Sequence, residues 1–398
     1  MKDYPNLRHV RLFCACLQRG SVSRAAEEIG LTQAAASQAL ARFEAIFGRR
    51  LIDRQNGAPA ATPEGRIVLA RARRALDLIQ AGCGRLPGAD RNAASRLTIA
   101  HMRALAAFAA RGSFSAAARL LGQSEPAVHR AARDAEASLN VPLFEGAGRA
   151  IRLSPLGRSA ARWSRLALNE LENAGAELGE SEGRFEGRVP VGTLPLTRTS
   201  LVPRAIARVA SRHPQAQFEI VEGRYDALVG DLEDGRIDLI VGALRGAFPA
   251  RSLVQEDLFT YCLAVVAGRG HPLLDRNGLS IADLADYPWV VAREGTPSRE
   301  VFSQMAAHFP PDRPPRCTVE AGSLVAIRGL LLHSHHLALL SRHQIRYDME
   351  AGFLRPLDVE LPPHARSVGI TYRRHWMATA LQAEFIDALR DAAAEAGA

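Results

Sequence analysis

The stretch Gly20-Ser21-Val22-Ser23-Arg24-Ala25-Ala26 returns 92 residues later as Gly112-Ser113-Phe114-Ser115-Ala116-Ala117-Ala118. The offset persists beyond it. Gly30 returns as Gly122, Ala35 as Ala127, Glu44 as Glu136 and Leu51 as Leu143, and Thr62-Pro63-Glu64-Gly65 returns as Ser154-Pro155-Leu156-Gly157. Unrelated segments do not keep one offset over roughly sixty residues without a gap, so the N-terminal half is a duplicated unit.

Each copy reads as three helices and a wing. In the first, Leu7, Val10, Phe13 and Leu17 recur at helical spacing. Gly20-Ser21 then stops that helix and caps the next. A short helix from Ser23 to Ile29 carries Ala25 and Ala26 side by side, small enough for a neighbouring helix to approach closely. Gly30 closes it, and Thr32 caps a third helix from Gln33 to about Phe47. Helix, short glycine-containing turn, helix is the arrangement that lays its second member in the DNA major groove. Gln33, Ser37, Gln38 and Arg42 fall on the outer face of that helix. Glutamine can read adenine edges, and arginine can read guanine or hold phosphate. The turn-rich run Arg54-Gln55-Asn56-Gly57-Ala58-Pro59, ending near Thr62, predicts two short strands forming a basic wing. One such block alone would be an ordinary helix hairpin. Two in-register copies argue against that reading.

Gly20 through Ala26, Thr32 through Ser37 and Gly48-Arg49-Arg50-Leu51-Ile52-Asp53-Arg54 together resemble the winged helix-turn-helix of LysR-type transcriptional regulators. So do Ser113-Phe114-Ser115, Ser124-Glu125-Pro126-Ala127-Val128-His129-Arg130 and Pro142-Leu143-Phe144. The family normally carries one such domain, and this chain resembles a variant with two in tandem before the sensor domain. The resemblance implies DNA contacts from Ser23, Thr32, Gln33, Ala34, Ser37, Gln38, Arg42 and Arg54 in the first copy. In the second it implies Ser124, Pro126, His129, Arg130, Arg133 and Arg149. Both copies depart from the family pattern. Ala34 stands where proline is usual, Gln38 where arginine is frequent, and Gly57 where a second wing arginine is common. The second copy has Glu125 in place of glutamine and Gly146 in place of the first wing arginine.

Charge separates the copies. The chain carries +8 overall. Residues 1–94 hold 15 basic and 8 acidic side chains, residues 95–183 hold 11 and 9, and the remainder 24 and 25. Phosphate binding draws on basic surface, which makes the first copy the expected principal DNA contact. The second is either a weaker reader of a neighbouring half-site or a structural spacer. A longer helix follows each copy, Ile67 to Ile79 and about Arg158 to Leu178. These helices could pair between subunits, pack on their own winged domains, or pair with each other within one chain.

From residue 184 the pattern changes to strands alternating with helices, which predicts parallel sheet with crossover helices. Predicted strands include Arg188–Gly192, Gln217–Val221, Ile237–Gly242, Tyr261–Val266, Trp289–Val291, Leu337–Leu340 and Val368–Tyr372. Helices are expected over Ser200–Ser211, Tyr225–Gly235 and Ala378–Ala394. Arg212-His213-Pro214, Gly235 through Gly242 and Gly270-His271-Pro272-Leu273 resemble the LysR effector domain, with details similar to the galactose-binding-protein and protocatechuate-pathway regulators. That implies two lobes like those of a periplasmic binding protein, with a ligand cleft beyond the strand ends. Expected effector contacts are Leu196, Thr197, Arg245, Arg293, Thr296 and Ser323, although each lone Ser or Thr also reads as a plain helix cap.

The expected class is therefore α/β: two mainly α winged helix-turn-helix domains and a two-lobed α/β effector domain. Their expected bounds are 1–64 and 95–157 for the winged domains, 65–94 and 158–183 for the linkers, and 184–398 for the effector domain. Its lobe I takes about 184–262 and 346–398, and lobe II about 263–345. No run of about 18 apolar residues or N-terminal signal segment appears, which gives a cytoplasmic expectation with no membrane partner. The five cysteines, an odd number, read as reduced buried thiols. No metal and no cofactor are expected, and His333-Ser334-His335-His336 reads as an exposed turn. Expected partners are double-stranded DNA, an anionic or hydroxylated metabolite such as an aromatic acid or sugar derivative, RNA polymerase, and further copies in a homodimer or homotetramer. A solute-binding or enzymatic α/β protein with helical accessory domains is the alternative, and a DNA-binding architectural protein without a ligand is a third.

Overall fold

The computed structural model describes residues 4–55, 58–88, 90, 92–146, 148–245 and 252–397. Two compact units form, one mainly from the chain up to Gly187 and the other mainly from Arg188 onward.

In the first unit, the opening repeat builds α1 (Leu7–Arg19), α2 (Val22–Ile29), α3 (Gln33–Phe47), β1 (Ile52–Gln55), β2 (Ala58–Ala61) and α4 (Pro63–Gly84). A short helix, α5 (Ala93–Arg96), leads into the second. There the same order recurs as α6 (Ile99–Arg111), α7 (Phe114–Leu121), α8 (Glu125–Leu139), β3 (Phe144–Glu145), β4 (Arg152–Leu153) and α9 (Pro155–Ser181). The repeated residues have repeated duties. Gly30 and Gly122 end the short helices at φ 68° and 63°, in the left-handed region that favours glycine. The Glu44 carboxylate accepts from the Leu51 and Ile52 amides at 2.7 and 3.0 Å. Glu136 does the same for Leu143 and Phe144 at 2.8 and 3.1 Å. Each glutamate thereby ties the third helix of its repeat to the strand that follows. Thr62 and Ser154 each cap the following helix by accepting from the amide of Gly65 or Gly157 at 2.9 Å. Each hydroxyl also donates back to the carbonyl of Arg50 or Pro142. A Cβ on Gly65 or Gly157 would stand 1.9 or 2.0 Å from the Leu51 or Leu143 carbonyl oxygen, so only glycine fits there.

The linker helices are longer than the apolar spacing predicts, because the Thr62 and Ser154 caps start them at Pro63 and Pro155. They pack against each other within one chain, antiparallel. Arg71, with a fully buried side chain, donates to Glu170 at 2.8 Å and bidentately to Glu177 at 3.0 and 2.5 Å. Arg74 reaches the other Glu170 oxygen at 2.6 Å. Toward the far end of α4, Gly82 lies against the Trp163 ring.

The second unit contains two five-stranded sheets of one plan. The first has order β6 (Gln217–Glu222), β5 (Arg188–Thr193), β7 (Leu239–Ala243), β14 (Arg366–Arg373), β8 (Leu253–Tyr261). The second has order β11 (Arg316–Glu320), β10 (Pro288–Val291), β12 (Leu337–Ser341), β9 (Leu263–Gly268), β13 (Leu354–Pro356). The helices are α10 (Leu201–Arg212), α11 (Tyr225–Glu233), α12 (Pro297–Ala306), α13 (Leu324–His333), α14 (Arg346–Glu350) and α15 (Ala380–Gly397).

The sheets are mixed, not parallel throughout. β5 pairs parallel with β6 and β7, and β10 with β11 and β12, but β14 runs antiparallel to β7 and β8, and β9 antiparallel to β12 and β13. The reason is connectivity. β9 and β14 enter their sheets from the crossovers between lobes and run against the strands built by local crossovers. The expected single strand from Tyr261 is two strands, broken at Cys262 as the chain passes from one sheet to the other. β13 still belongs to the second sheet, so the return to the first falls after Pro356 rather than near residue 346. Cys14, Cys16 and Cys83 are free and buried as expected, whereas Cys262 and Cys317 are free and exposed. Among the described residues, no helix is long and apolar enough to cross a membrane, and no three His, Cys, Asp or Glu side chains group to hold a metal.

Candidate functional site

The exposed face of α3 is set by what the helix buries. Ala36, Ala39, Leu40 and Phe43 point into the repeat, with Phe13 stacked on Phe43 at 4.9 Å. That leaves Gln33, Ala34, Ser37, Gln38 and Arg42 exposed together, with no carboxylate among them. Thr32 is exposed, but its hydroxyl accepts from the Ala35 amide at 3.2 Å as the N-cap. Ser23 is exposed on α2. Arg8 braces the turn between α2 and α3 by donating to the Ile29 and Gly30 carbonyls at 3.1 and 2.8 Å.

α8 buries Val128, Ala132, Ala135 and Leu139 and exposes Glu125, Pro126, His129, Arg130 and Asp134. The positions of Gln33, Ser37, Gln38 and Arg42 thus carry Glu125, His129, Arg130 and Asp134 in the second repeat. Ser124 is exposed and makes no side-chain cap. His129 sits edge-on to Phe114 at 4.7 Å. Arg133 does not present itself outward as expected. It is half-buried, pairs with Glu136 at 3.0 Å and lies 5.0 Å over the Phe144 ring, so local packing holds it. Asn56, Gly57 and the Arg54 and Arg149 side chains lie outside the described residues.

In the second unit, the expected effector residues follow the carboxyl ends of β5 and β7, between which the first sheet's strand order reverses, and of β10 and its neighbour β11 in the second sheet. Within the first lobe, Leu196 lines a narrow cleft of about 20 Å³ with Ser200, Leu201 and Phe259. His343 and Arg346 line it from the second lobe, and the Phe259 and His343 rings meet at 4.8 Å. Burial and the neighbouring Arg346 push the His343 imidazole pKa down. Thr197 is a correction. Its hydroxyl is fully buried and donates to the Val241 and Leu194 carbonyls at 2.9 and 3.2 Å, tying the loop after β5 to β7. Arg245 is half-buried with its guanidinium 4.8 Å over the Tyr225 ring. Arg293 is exposed beside Gly322, so the ends of β10 and β11 do meet. Thr296 and Ser323 cap α12 and α13, accepting from Arg299 at 3.3 Å and Ala326 at 3.4 Å. Ser200, Phe259, His343 and Arg346 were not legible. Phe259 sits on the unpredicted β8, and His343 follows a strand whose apolar run gave no sign of a site. His336 is held by Ser334 at 2.6 Å and Thr318 at 2.8 Å.

Residues 7–66 and again 99–158 match the family described as bacterial regulatory helix-turn-helix protein, lysR family, and residues 182–394 match the LysR substrate binding domain. The chain belongs to the LysR family. LysR-type proteins are DNA-binding transcriptional regulators with an effector-binding domain, not enzymes, and so is this chain. The HTH-type transcriptional regulator GalR of Pseudomonas putida is 33% identical over 373 residues, covering 93% of each chain. PcaQ of Agrobacterium fabrum, likewise named an HTH-type transcriptional regulator, is 29% identical over 302 residues, covering 75% of this chain and 96% of its own. Full-length OxyR from Pseudomonas aeruginosa shares the LysR fold with a TM-score of 0.56 at 23% identity, over 75% of this chain and 94% of its own.

Proposed function

We propose that this LysR-type regulator carries two tandem winged helix-turn-helix readers, grips DNA chiefly through the first, and answers to an anionic metabolite bound between the lobes of its C-terminal domain. One observation carries the DNA reading. The exposed face of α3 gathers Gln33, Ser37, Gln38 and Arg42 with no acid among them, on the most basic part of the chain. Its counterpart on α8 includes Glu125 and Asp134, which face phosphate unfavourably. The tandem layout is supported by the double family match, whose bounds repeat at the 92-residue offset. It is supported also by the coverage of the relatives, since PcaQ matches nearly all of itself on three quarters of this chain.

Arg346 and His343 on one wall of the cleft offer a guanidinium and an imidazole to a carboxylate or a hydroxylated acid. Aromatic acids and sugar derivatives fit that chemistry. A cleft of about 20 Å³ admits no more than a water, so the lobes part to load the ligand. Ligand binding then shifts the population between lobe arrangements and changes how the readers sit on DNA. The working form is a cytoplasmic homodimer or homotetramer that meets RNA polymerase at the promoter.

The test is retention of DNA from the chain's own upstream intergenic region, across salt, with and without a panel of aromatic and sugar acids. Retention that weakens steeply with salt and shifts with one acid class is expected. Absent retention, or retention indifferent to salt, would contradict the proposed grip on DNA.

A further inference from the structure

The two linker helices are repeats of one another, yet the faces they present have become unlike. Arg71 in α4 and Trp163 in α9 occupy one repeat position, and Leu78 corresponds to Glu170, Gly82 to Ala174, and Arg85 to Glu177. In the observed antiparallel pair, Arg71 lies against Glu170 and Glu177 while Trp163 lies against Gly82. These are the same two contacts related by an approximate twofold, filled with complementary side chains. Two α4 helices paired in this register would set each buried Arg71 against Leu78, Gly82 and Arg85, with no carboxylate. Two α9 helices would set each Trp163 against Glu170, Ala174 and Glu177. A Cβ at the Gly82 position already comes within 2.4 Å of the indole, so Ala174 does not fit there. Smaller contacts follow the same twofold. Arg11 donates to the Ala94 and Ser95 carbonyls just ahead of α6, and Arg103, its repeat counterpart, stacks over Tyr4 just ahead of α1.

We infer that α4 and α9 form an obligate unlike pair that closes within one chain and rejects a second copy of either helix, so that one chain presents α3 and α8 as a complete two-headed reader of two unlike half-sites. The pairing part stands on the helix contacts. The half-site part rests on the DNA reading proposed above. The two reading faces differ at every outward position that matters for base readout: Gln33 against Glu125, Ser37 against His129, Gln38 against Arg130 and Arg42 against Asp134. Glutamine addresses adenine, while arginine addresses guanine and a carboxylate accepts from cytosine. A pair of such heads has no reason to select a palindrome, which mirrors a true protein twofold.

Two experiments on the full-length chain test this. In a background of Cys83→Ala, Cys262→Ala and Cys317→Ala, which removes the neighbouring thiol and the two exposed ones, Gly82→Cys and Trp163→Cys place two Cβ atoms within disulfide reach, about 3.5–4.5 Å. Oxidation is expected to close the bridge inside one chain, giving a monomer on a non-reducing gel at every protein concentration. Covalent dimers from a mixture of chains bearing only one of the two cysteines would overturn cis pairing. Wild-type chain is then used to select duplexes from a random library, which requires no substituted protein. Enrichment of two unlike half-sites at fixed spacing is expected, repeated in inverted order where two chains bind together, and enrichment of sites built from one half-site alone would overturn the two-headed reader. If no duplex is enriched, the DNA reading itself fails, and the gel still decides the pairing.

Discussion

The five-membered ring of the Trp163 indole fills the space that a side chain on Gly82 would take: a methyl group on Gly82 would come to 2.4 Å from Cγ and 2.5 Å from Cδ1. Gly82→Ala therefore overpacks a contact made by rigid groups on two helices. The expected loss is about 1–3 kcal/mol of stability, read as a lower urea midpoint for the N-terminal unit. Trp163→Leu in the same chain is expected to recover part of it. An unchanged midpoint for Gly82→Ala would mean that the helices are not seated as described.

Arg71 is the buried cation on which α9 closes. Arg71→Ala leaves Glu170 and Glu177 facing each other without it, although Arg74 still reaches Glu170. Breaking a buried pair by removing one member costs about 3–5 kcal/mol. A double-mutant cycle of Arg71→Ala with Glu177→Ala is expected to show coupling of at least about 1 kcal/mol in thermal unfolding. Additive effects would show that the pair is incidental.

Glu44 and Glu136 hold their wings by two backbone hydrogen bonds each. Glu44→Ala and Glu136→Ala are each expected to cost about 1.5–3 kcal/mol, the range for hydrogen bonds to a charged group. Their effects on DNA differ. Glu44→Ala frees the strands beside the proposed principal reader and should weaken DNA retention more than Glu136→Ala, measured by mobility shift at one salt concentration.

Asp238 gives the C-terminal unit a pH dependence. It is buried beside Arg373, with Gln382 donating to it at 2.7 Å, and burial pushes its carboxyl up to about 6. The folded state therefore holds the proton more tightly than the unfolded chain, whose Asp titrates near 3.9. Its contribution to stability is present below that unfolded value and is lost as pH rises through 6. Asp238→Asn is expected to flatten the fall in thermal midpoint between pH 4 and 6.5, and an equal slope in both proteins would contradict this.

The repeat was legible because it is written in short local signals, the glycines that end helices and the hydroxyl caps, whereas the tie from Glu44 and Glu136 to the strands that follow appears only in the fold. The lobed domain was legible as alternating elements, but the direction of β9 and β14 was not, since a strand's partner is set by distant chain and not by its own composition. Little of the cleft was legible. The end of β5 points to Leu196 by topology, whereas His343 and Arg346 enter only when the second sheet is folded against the first. Thr197 shows the converse, a residue of the right chemistry in the right loop whose hydroxyl is consumed by Val241. The pairing of α4 with α9 was one of three options in the sequence. What decides it is the complementarity of Arg71 with Glu177 and of Trp163 with Gly82, which no single helix reveals.

The most direct measurement compares wild type, Arg42→Ala and Arg130→Ala on DNA from the chain's own upstream region over a series of salt concentrations, with footprints. The account predicts that Arg42→Ala weakens specific binding most and shortens the footprint at one half-site, while Arg130→Ala gives a smaller loss confined to the other. If either arginine holds phosphate, the slope of log affinity against log salt falls by about 0.9 for that variant. Specific binding by none of the three, or footprints identical in all three, would contradict it.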